Sequence, residues 1–438
     1  MKTKGAEIET QDNLLMLSTR GSIFRALRFR NYRLFFIGQS ISLVGTWTTR
    51  LATGWLVFRL THSGLLLGVI GFTGQIPTFA LAALGGVWAD RLHRQRLLVL
   101  TQVLLMIQTL IMAVLTLTNR ITFVEIVSLS LFQGFINAFE IPCRNSFLLD
   151  LVEGRANWGN AIAVTYSMEN LARLLGAVLA GSTIAAFGEG YCFLIDAVSY
   201  FAVIVSLLLM HLKDKRPERS NIGVVEELAE GWKYVSGVRS IRLVLILFGI
   251  VCFVGVPYTV LMPLYAGTLL KGGPHTYGFL MAATGLGSLA AGMRLAIRTS
   301  TTGFEFTIAR SAILFGIGVI GLSLSRNLSL SLTLAVVTGF GMMQQFAASS
   351  TLIQSFIPER KRGRVMSYWT TTYMGALPAG SLVLGTVAQA LGLTATLTFS
   401  GMGCLIGGVW FWGQTRNFVQ PGAEFEDSAA GINGTACE

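Results

Sequence analysis

The chain has 438 residues, of which 53% are hydrophobic and 13% are charged, and its formal net charge is +11. Soluble domains carry about 25% charged residues, so this composition excludes an ordinary soluble enzyme. The sequence lacks the patterns GxxxxGK[ST], HExxH and GxSxG, which argues against direct ATP hydrolysis and against hydrolase chemistry. Its five cysteines form no CxxC pair and its four histidines are scattered, so no metal ion or other cofactor is expected.

Twelve apolar stretches follow one another from Leu34 to Gly413. An α-helix rises ~1.5 Å per residue, so a stretch of about 20 residues crosses the ~30 Å hydrocarbon core of a bilayer. The predicted spans are 34–58, 64–88, 97–118, 121–143, 158–184, 190–211, 241–268, 275–297, 306–325, 329–352, 367–391 and 394–414. The chain is therefore predicted to be an all-α membrane protein with twelve transmembrane helices.

The loops between these spans differ in charge. Most Lys and Arg residues lie in loops on one side of the predicted membrane, whereas the other side carries Arg59, Arg120, Lys271 and Arg326. The positive-inside rule then predicts that the basic loops and both termini are cytoplasmic. The basic excess reflects topology and contact with membrane lipids, so nucleic acid is not an expected partner. The size and the compact loops are typical of a bacterial inner membrane protein.

The longest loop divides the spans six and six. We predict a cytoplasmic amino-terminal segment (1–33), a first six-helix bundle (34–211), a cytoplasmic linker (212–240), a second six-helix bundle (241–414) and a disordered tail (415–438). Two bundles in a pseudo-two-fold relation that rock about a site near the middle of the membrane are typical of secondary transporters. The expected partner is therefore a small-molecule substrate.

The loop after the second span contains the clearest motif. It resembles the cytoplasmic-loop pattern of the major facilitator superfamily, G-x-x-x-D-[RK]-x-G-[RK]-[RK]. The matching residues are Gly86, Asp90, Arg91, Arg94 and Arg96. His93 stands where a glycine is usual, and Gln95 interrupts the run of bases. The resemblance implies twelve spans, alternating access and a role for this loop in an inner gate.

Three other segments narrow the resemblance. Residues 24–35, 170–176 and 358–367 are similar to the enterobactin-exporter-like group, which also contains macrolide-efflux-type proteins. The resemblance covers roughly residues 24–414 and implies export of a siderophore or of a drug-like compound. Antiporters of the superfamily often carry a Gly-Pro pair in the fifth span, whereas Ala177 follows Gly176 here.

Polar residues inside the fourth span lie on one helix face. Gln133, Asn137, Glu140 and Arg144 are spaced by four, three and four residues. Glu140 and Arg144 are candidates for the inner gate, together with Arg362, Gly363 and Arg364 in the loop after the tenth span. The alternative is an ion-pair network with Asp90 that only holds the helices together. Gln133 and Asn137 lie deeper and either line the transport cavity or pack within the bundle.

Charged residues at mid-membrane depth are candidates for substrate or proton binding, because burying charge in lipid is costly. Glu169 and Arg173 have the spacing of an ion pair on the fifth span, which is either functional or simply neutralised. Arg50 and Asp196 lie at similar depth, which allows a pair between them; the alternative is that Arg50 reaches the outer interface. Gln344 and Gln345 are the polar candidates of the second bundle.

Three functions remain open at this point. The first is proton-coupled export of an amphipathic organic compound, with Glu169 or Asp196 as the proton carrier. The second is facilitated transport or import of a small organic anion held by Arg50 and Arg173. The third is a membrane scaffold that transports nothing.

Overall fold

A computed structural model describes residues 25–81, 93–152, 158–210, 235–298, 303–357 and 359–415. These residues form twelve long helices and no strand. The helices are α1 (Arg30–Thr61), α2 (Gly64–Leu81), α3 (Arg94–Leu117), α4 (Phe123–Asp150), α5 (Trp158–Phe187), α6 (Glu189–Leu208), α7 (Arg239–Leu269), α8 (Pro274–Ile297), α9 (Phe304–Leu324), α10 (Leu328–Phe356), α11 (Glu359–Leu391) and α12 (Leu393–Thr415). The predicted all-α membrane fold is confirmed.

Ten of these helices are long and apolar enough to cross a membrane by length and hydropathy. The other two, α1 and α8, are 32 and 24 residues long. Several helices extend beyond the predicted spans: α4 continues to Asp150 and α11 begins at Glu359. Helical hydrogen bonding continues past the end of the apolar stretch, so hydropathy underestimates helix length at these ends.

The helix packing repeats after six helices. In the first half α1 packs on α5 and α6, α3 packs on α4 and α6, and α2 packs on α4. In the second half α7 packs on α11 and α12, α9 packs on α10 and α12, and α8 packs on α10. The two sets of contacts correspond helix by helix, as two six-helix bundles in a pseudo-two-fold relation require.

The two bundles meet through α2 with α11 and through α5 with α8. We call the end of the molecule that contains Arg30 and Thr415 the basic end, and the other end, with the connections at 62–63 and 392, the opposite end. A Cβ built on Gly68 would lie 2.9 Å from the Cα of Gly385, and one built on Gly278 would lie 2.7 Å from the Cα of Gly181. Backbone therefore touches backbone where the bundles meet towards the opposite end.

Helix α7 is irregular in its middle. Its α-helical turns give way to a π-helical segment at Val251–Gly255 and a 3-10 segment at Val256–Leu261. Pro257 has no N–H to donate to the carbonyl of Phe253, and a Cβ on Gly380 of α11 would lie 1.9 Å from that oxygen. The hydroxyl of Ser400 donates to the carbonyl of Val254 at 2.6 Å. Neighbouring helices thus cover the irregular backbone, which the interior of a membrane protein requires.

The close approach of α8 and α10 gives a stability prediction. A Cβ on Gly287 would lie 1.9 Å from the carbonyl oxygen of Val336, whereas a Cβ on Gly292 of the same helix meets nothing within 4 Å. We expect Gly287→Ala to destabilise the detergent-purified protein by about 1–3 kcal/mol through overpacking. Gly292→Ala is the matched control and should leave the thermal unfolding temperature unchanged or slightly raised. Equal unfolding temperatures for both variants would contradict the described packing.

Candidate transport site

Two arginine side chains flank Trp47 of α1 between the bundles. The Cζ atoms of Arg50 and Arg173 lie 5.0 and 5.8 Å from the centre of the Trp47 ring. Both distances fall within the ~6 Å range of cation–π contacts. Arg50 is exposed although Thr49 and Leu51 beside it are buried, so its face of α1 borders open space. This cluster, Arg50–Trp47–Arg173, is the arginine pair.

Gly176 places α5 close enough to α1 to form this cluster. A Cβ on Gly176 would lie 2.6 Å from the Cβ of Trp47, and the hydroxyl of Thr48 donates to the Gly176 carbonyl at 3.4 Å. Arg173 lies one helical turn before Gly176 and therefore shares its face. Ala177, at the position of the usual proline, contacts α8: its carbonyl oxygen would lie 2.9 Å from a Cβ on Gly278.

Aromatic side chains of the second bundle face the arginine pair. Tyr258 and Tyr373 are electrostatic neighbours of Arg173, and Tyr277 and Tyr373 are neighbours of Arg50. Towards the opposite end, the rings of Trp55 and Tyr277 stack with centroids 6.0 Å apart. The arginine pair thus lies between the bundles, on the basic side of the stacked contact. We call this region between the bundles the central gap.

The predicted ion pair between Glu169 and Arg173 is wrong. Glu169 instead contacts Arg144 of α4, with Arg144 Nη2 3.9 Å from Glu169 Oε1. Arg173 Nη2 donates to Asn170 Oδ1 at 3.2 Å, and its guanidinium rests on Trp47. Spacing by four residues allows an ion pair on one helix. Here Glu169 contacts Arg144 of α4 and Arg173 contacts Trp47 of α1 instead.

An ion-pair triad connects α4 and α5 on the basic side of the arginine pair. Arg144 Nη1 lies 3.5 Å from Glu140 Oε1, as the spacing on α4 predicts, while Nη2 reaches Glu169. Gln102 of α3 donates to Glu140 Oε1 at 3.4 Å. Glu140 is buried, so Arg144 compensates a carboxylate that has left water.

Of the two alternatives for Arg50, the pair with Asp196 does not form, because Asp196 makes no ion pair with any described residue. It is fully buried between α6 and α1, and a Cβ on Gly45 would lie 2.7 Å from its Oδ1. The Ser199 hydroxyl lies 3.3 Å from Oδ1, and Oδ2 has no hydrogen-bond partner in the described structure. Adjacent residues of a helix point about 100° apart, so Arg50 faces the central gap while Thr49 faces α6.

The remaining candidates of the central gap differ in their surroundings. Gln133 and Asn137 are partly exposed on α4. Gln345 is buried on α10, and its Nε2 donates to Ser349 Oγ at 3.3 Å. Gln344 is also buried but lines a separate pocket between α8, α9 and α10.

The predicted inner gate is only partly described. Gly86, Asp90 and Arg91 lie outside the described residues, as do the side chains of Arg362 and Arg364. Gly363 lies on α11 and a Cβ there would meet nothing within 4 Å. Arg94 Nη1 lies 2.7 Å from Oδ2 of Asp150, which joins the basic ends of α3 and α4.

Sequence reasoning did not select Trp47 or Asp150. Trp47 precedes Arg50 by three residues on the polar face of α1, and this spacing would have indicated contact. Asp150 lies beyond the predicted end of the fourth span, where hydropathy no longer separates helix from loop.

A family model described as transmembrane secretion effector matches residues 21–424. The chain belongs to this family of the major facilitator superfamily. It is a multi-pass membrane transporter and not an enzyme, and its partners are a small-molecule substrate and the surrounding lipid.

Three relatives with assigned names align over most of their length. The staphyloferrin A transporter of Staphylococcus aureus is 25% identical over 84% of this chain and 92% of its own. The multidrug efflux pump Tap of Mycolicibacterium fortuitum is 24% identical over 83% of this chain and 91% of its own. The enterobactin exporter EntS of Escherichia coli is 24% identical over 86% of this chain and 90% of its own.

Solved structures show the same fold. A bacterial homologue of the human lysosomal transporter Spinster, inward-facing and unoccupied, superposes with a TM-score of 0.68 at 12% identity, covering 90% of this chain and 98% of its own. The nucleoside transporter NupG gives a TM-score of 0.70 at 13% identity, covering 88% of this chain and 99% of its own.

The triad predicts a strong effect of removing its cation. We expect Arg144→Met to destabilise the protein by about 3–5 kcal/mol, because the charge of the buried Glu140 then lacks its cationic partner. The double variant Glu140→Gln/Arg144→Met removes that uncompensated charge and should recover most of the loss. Thermal unfolding of the purified variants measures both effects, and equal stability of the single and double variants would contradict the assignment.

Proposed function

We propose that this chain is a secondary active exporter, which moves an amphipathic organic compound out of the cytoplasm by alternating access and uses the proton gradient. Its named relatives are siderophore and drug transporters, which supports export of a compound of this kind. The observation that carries the proposal is the arginine pair, two cations that form no ion pair with an acidic residue in the described part of the chain and lie beside a closed contact between the bundles.

The basic end is the cytoplasmic end in this proposal. Both termini are then cytoplasmic, and the protein lies in the bacterial inner membrane, as the loop charges predict. The bundles are in contact at the opposite end, so the described arrangement corresponds to a central gap that opens towards the cytoplasm. An exporter loads its substrate in this arrangement.

The substrate is a siderophore or a drug-like compound with an anionic and an aromatic part. Arg50 and Arg173 bind its negative group, because paired guanidinium groups suit carboxylate and other planar oxyanions. Trp47 and the facing tyrosines pack against its rings. Gln133, Asn137 and Gln345 supply further polar contacts.

The inner gate closes at the basic end once substrate is bound. The Arg94–Asp150 contact and the triad of Glu140, Arg144 and Glu169 belong to the first-bundle side of this gate. Gly86, Asp90 and Arg91 complete that side. Arg362, Gly363 and Arg364 belong to the second-bundle side, so closing brings charged groups of the two bundles together.

The proton carrier is Asp196 or Glu169. A buried carboxyl group without a cationic partner, such as Asp196, is the kind of group that takes part in proton relays in transporters. Asp196 faces the same turn of α1 that presents Arg50 to the central gap. A change in its charge alters the electrostatic potential in the gap and therefore the free energy of closing it, with or without substrate.

A second candidate is a facilitator or importer of a small organic anion. The arginine pair favours it, because uncompensated cations suit an anion whatever drives its movement. The membrane potential acts on each elementary charge with about 2.3 kcal/mol per 100 mV, so the flux of an anion through a facilitator responds to the potential without a proton gradient. Flux that follows the potential and ignores the proton gradient would favour this function.

The test is flux from proteoliposomes with an imposed proton gradient and a clamped membrane potential. Staphyloferrin A, enterobactin and a cationic dye serve as probes. We expect Asp196→Asn or Glu169→Gln to lower gradient-driven transport about tenfold or more, because the neutral amide cannot release a proton. Exchange of labelled for unlabelled substrate, which needs no net proton movement, should persist.

Glu189→Gln is the matched control, because Glu189 pairs with Arg59 at the opposite end of the molecule at 2.9 Å. It should retain gradient-driven transport. Unchanged pH dependence in both the Asp196 and the Glu169 variants would reject the proton assignment. Absence of protein-dependent flux for every probe would reject the proposed substrate class.

A further inference from the structure

A second polar cavity lies at the basic end of the second bundle, apart from the arginine pair. It is an open pocket of about 530 Å³ between α8, α9 and α10. Its polar and aromatic lining consists of Arg294, Arg298, Phe306, Thr307, Arg310 and Gln344. A pocket of this volume is large enough for a small ligand or a headgroup.

The pocket contains three arginine side chains, and none of its lining residues in the described part of the chain is acidic. Glu305, the acidic residue in the first turn of α9, is not part of its lining. Each guanidinium lies over an aromatic ring, which helps to fix its position. The ring-centre distances are 5.8 Å for Arg294 on Phe340, 4.7 Å for Arg298 on Phe304 and 5.2 Å for Arg310 on Trp412.

Gln344 adds a buried polar group to the same pocket. It is 2% exposed, lines the pocket, and its Oε1 has no hydrogen-bond partner in the described structure. A buried amide that lacks a partner costs free energy unless a ligand or water satisfies it. Its amide nitrogen is a donor, so rotation of the side chain can complete an anion site. Thr307 Oγ1 accepts a hydrogen bond from Arg298 Nη1 at 2.8 Å. This contact holds the Arg298 guanidinium, a second donor, in position.

Apolar side chains lie beside this charged pocket. Ile297, which lines it, is 80% exposed, and Met293 on the same helix is 67% exposed. Phe306 is 38% exposed and packs on Trp412 with ring centroids 5.9 Å apart. Cations next to exposed apolar and aromatic side chains at the end of a membrane-spanning bundle suit a ligand with a charged head and an apolar tail.

We propose that this pocket binds the phosphate of an anionic phospholipid, with Arg294, Arg298 and Arg310 on the headgroup and Ile297 and Phe306 against the acyl chains. Arginine binds phosphate oxygens in a bidentate manner, and anionic lipids give the cytoplasmic leaflet its negative surface potential. The basic ends of the helices face this leaflet in the orientation of the proposed function, on which this inference rests. A bound lipid would join α8 to α9. Helix α8 also packs on α5 of the first bundle. The lipid would therefore stabilise the second bundle near its contact with the first bundle.

Native mass spectrometry of the purified full-length protein tests this proposal. The probes are phosphatidylglycerol, phosphatidylcholine with the same acyl chains, and inorganic phosphate. We expect phosphatidylglycerol to bind the wild type more tightly than phosphatidylcholine. Arg294→Gln/Arg310→Gln should weaken phosphatidylglycerol binding about tenfold or more, since each basic residue near the surface contributes severalfold to affinity.

Arg239→Gln/Arg242→Gln is the matched control, because it removes the same charge from the basic end of α7, where these arginines donate to Gln414 and to the Ser236 carbonyl. It should change binding by less than about threefold. Arg294→Lys/Arg310→Lys keeps the charge and should restore part of the affinity, which separates a binding defect from misfolding.

Equal losses in the two Gln double variants would overturn the site, because general surface charge would then explain binding. Equal affinity of the wild type for the two lipids would overturn it as well. Displacement of the lipid by millimolar inorganic phosphate would assign the pocket to soluble phosphate and overturn the lipid assignment.

Discussion

A charge inside a membrane must have either a partner or access to water, and this constraint organises the whole molecule. Arg59 with Glu189, and Arg94 with Asp150, satisfy it by pairing near the helix ends. The triad on α4 and α5 satisfies it at greater depth. Among the described residues the arginine pair has no acidic partner, so it depends on access to water in the central gap.

The contact between the bundles has a composition that allows the bundles to separate. Where α2 meets α11 and α5 meets α8, glycines bring backbone against backbone, and packing rather than hydrophobic burial drives helix association in lipid. A single side-chain hydrogen bond, from Ser63 Oγ to Gln389 Oε1 at 2.9 Å, crosses this contact at the opposite end in the described residues. Few polar contacts must therefore break when the bundles open there, which suits a transporter that alternates between two closures.

The helices can be predicted from the sequence because the membrane restricts the backbone structures that a spanning segment can adopt. A span must satisfy its own backbone, so an apolar stretch of about 20 residues predicts a helix, and twelve such stretches predict this fold. The polar partners do not follow in the same way. Spacing alone suggests that Glu169 pairs with Arg173, but α4 brings Arg144 to Glu169 and α1 brings Trp47 to Arg173. Asp196 and Arg50 share a depth, yet the rotation of α1 separates them. Depth and spacing limit the possible partners, and the rotation and packing of the helices select among them.

The central claim is that substrate binds at the arginine pair inside the central gap. The most direct measurement is equilibrium binding of staphyloferrin A and enterobactin, by calorimetry, to the purified wild type, to Arg50→Gln/Arg173→Gln and to the control Arg239→Gln/Arg242→Gln. The account predicts that at least one compound binds the wild type and the control alike. It predicts about tenfold or greater weakening in the variant without the arginine pair, because each charge-assisted hydrogen bond contributes about 1.5–3 kcal/mol. Equal affinity for all three proteins would contradict the claim, as would the absence of binding of either compound to the wild type.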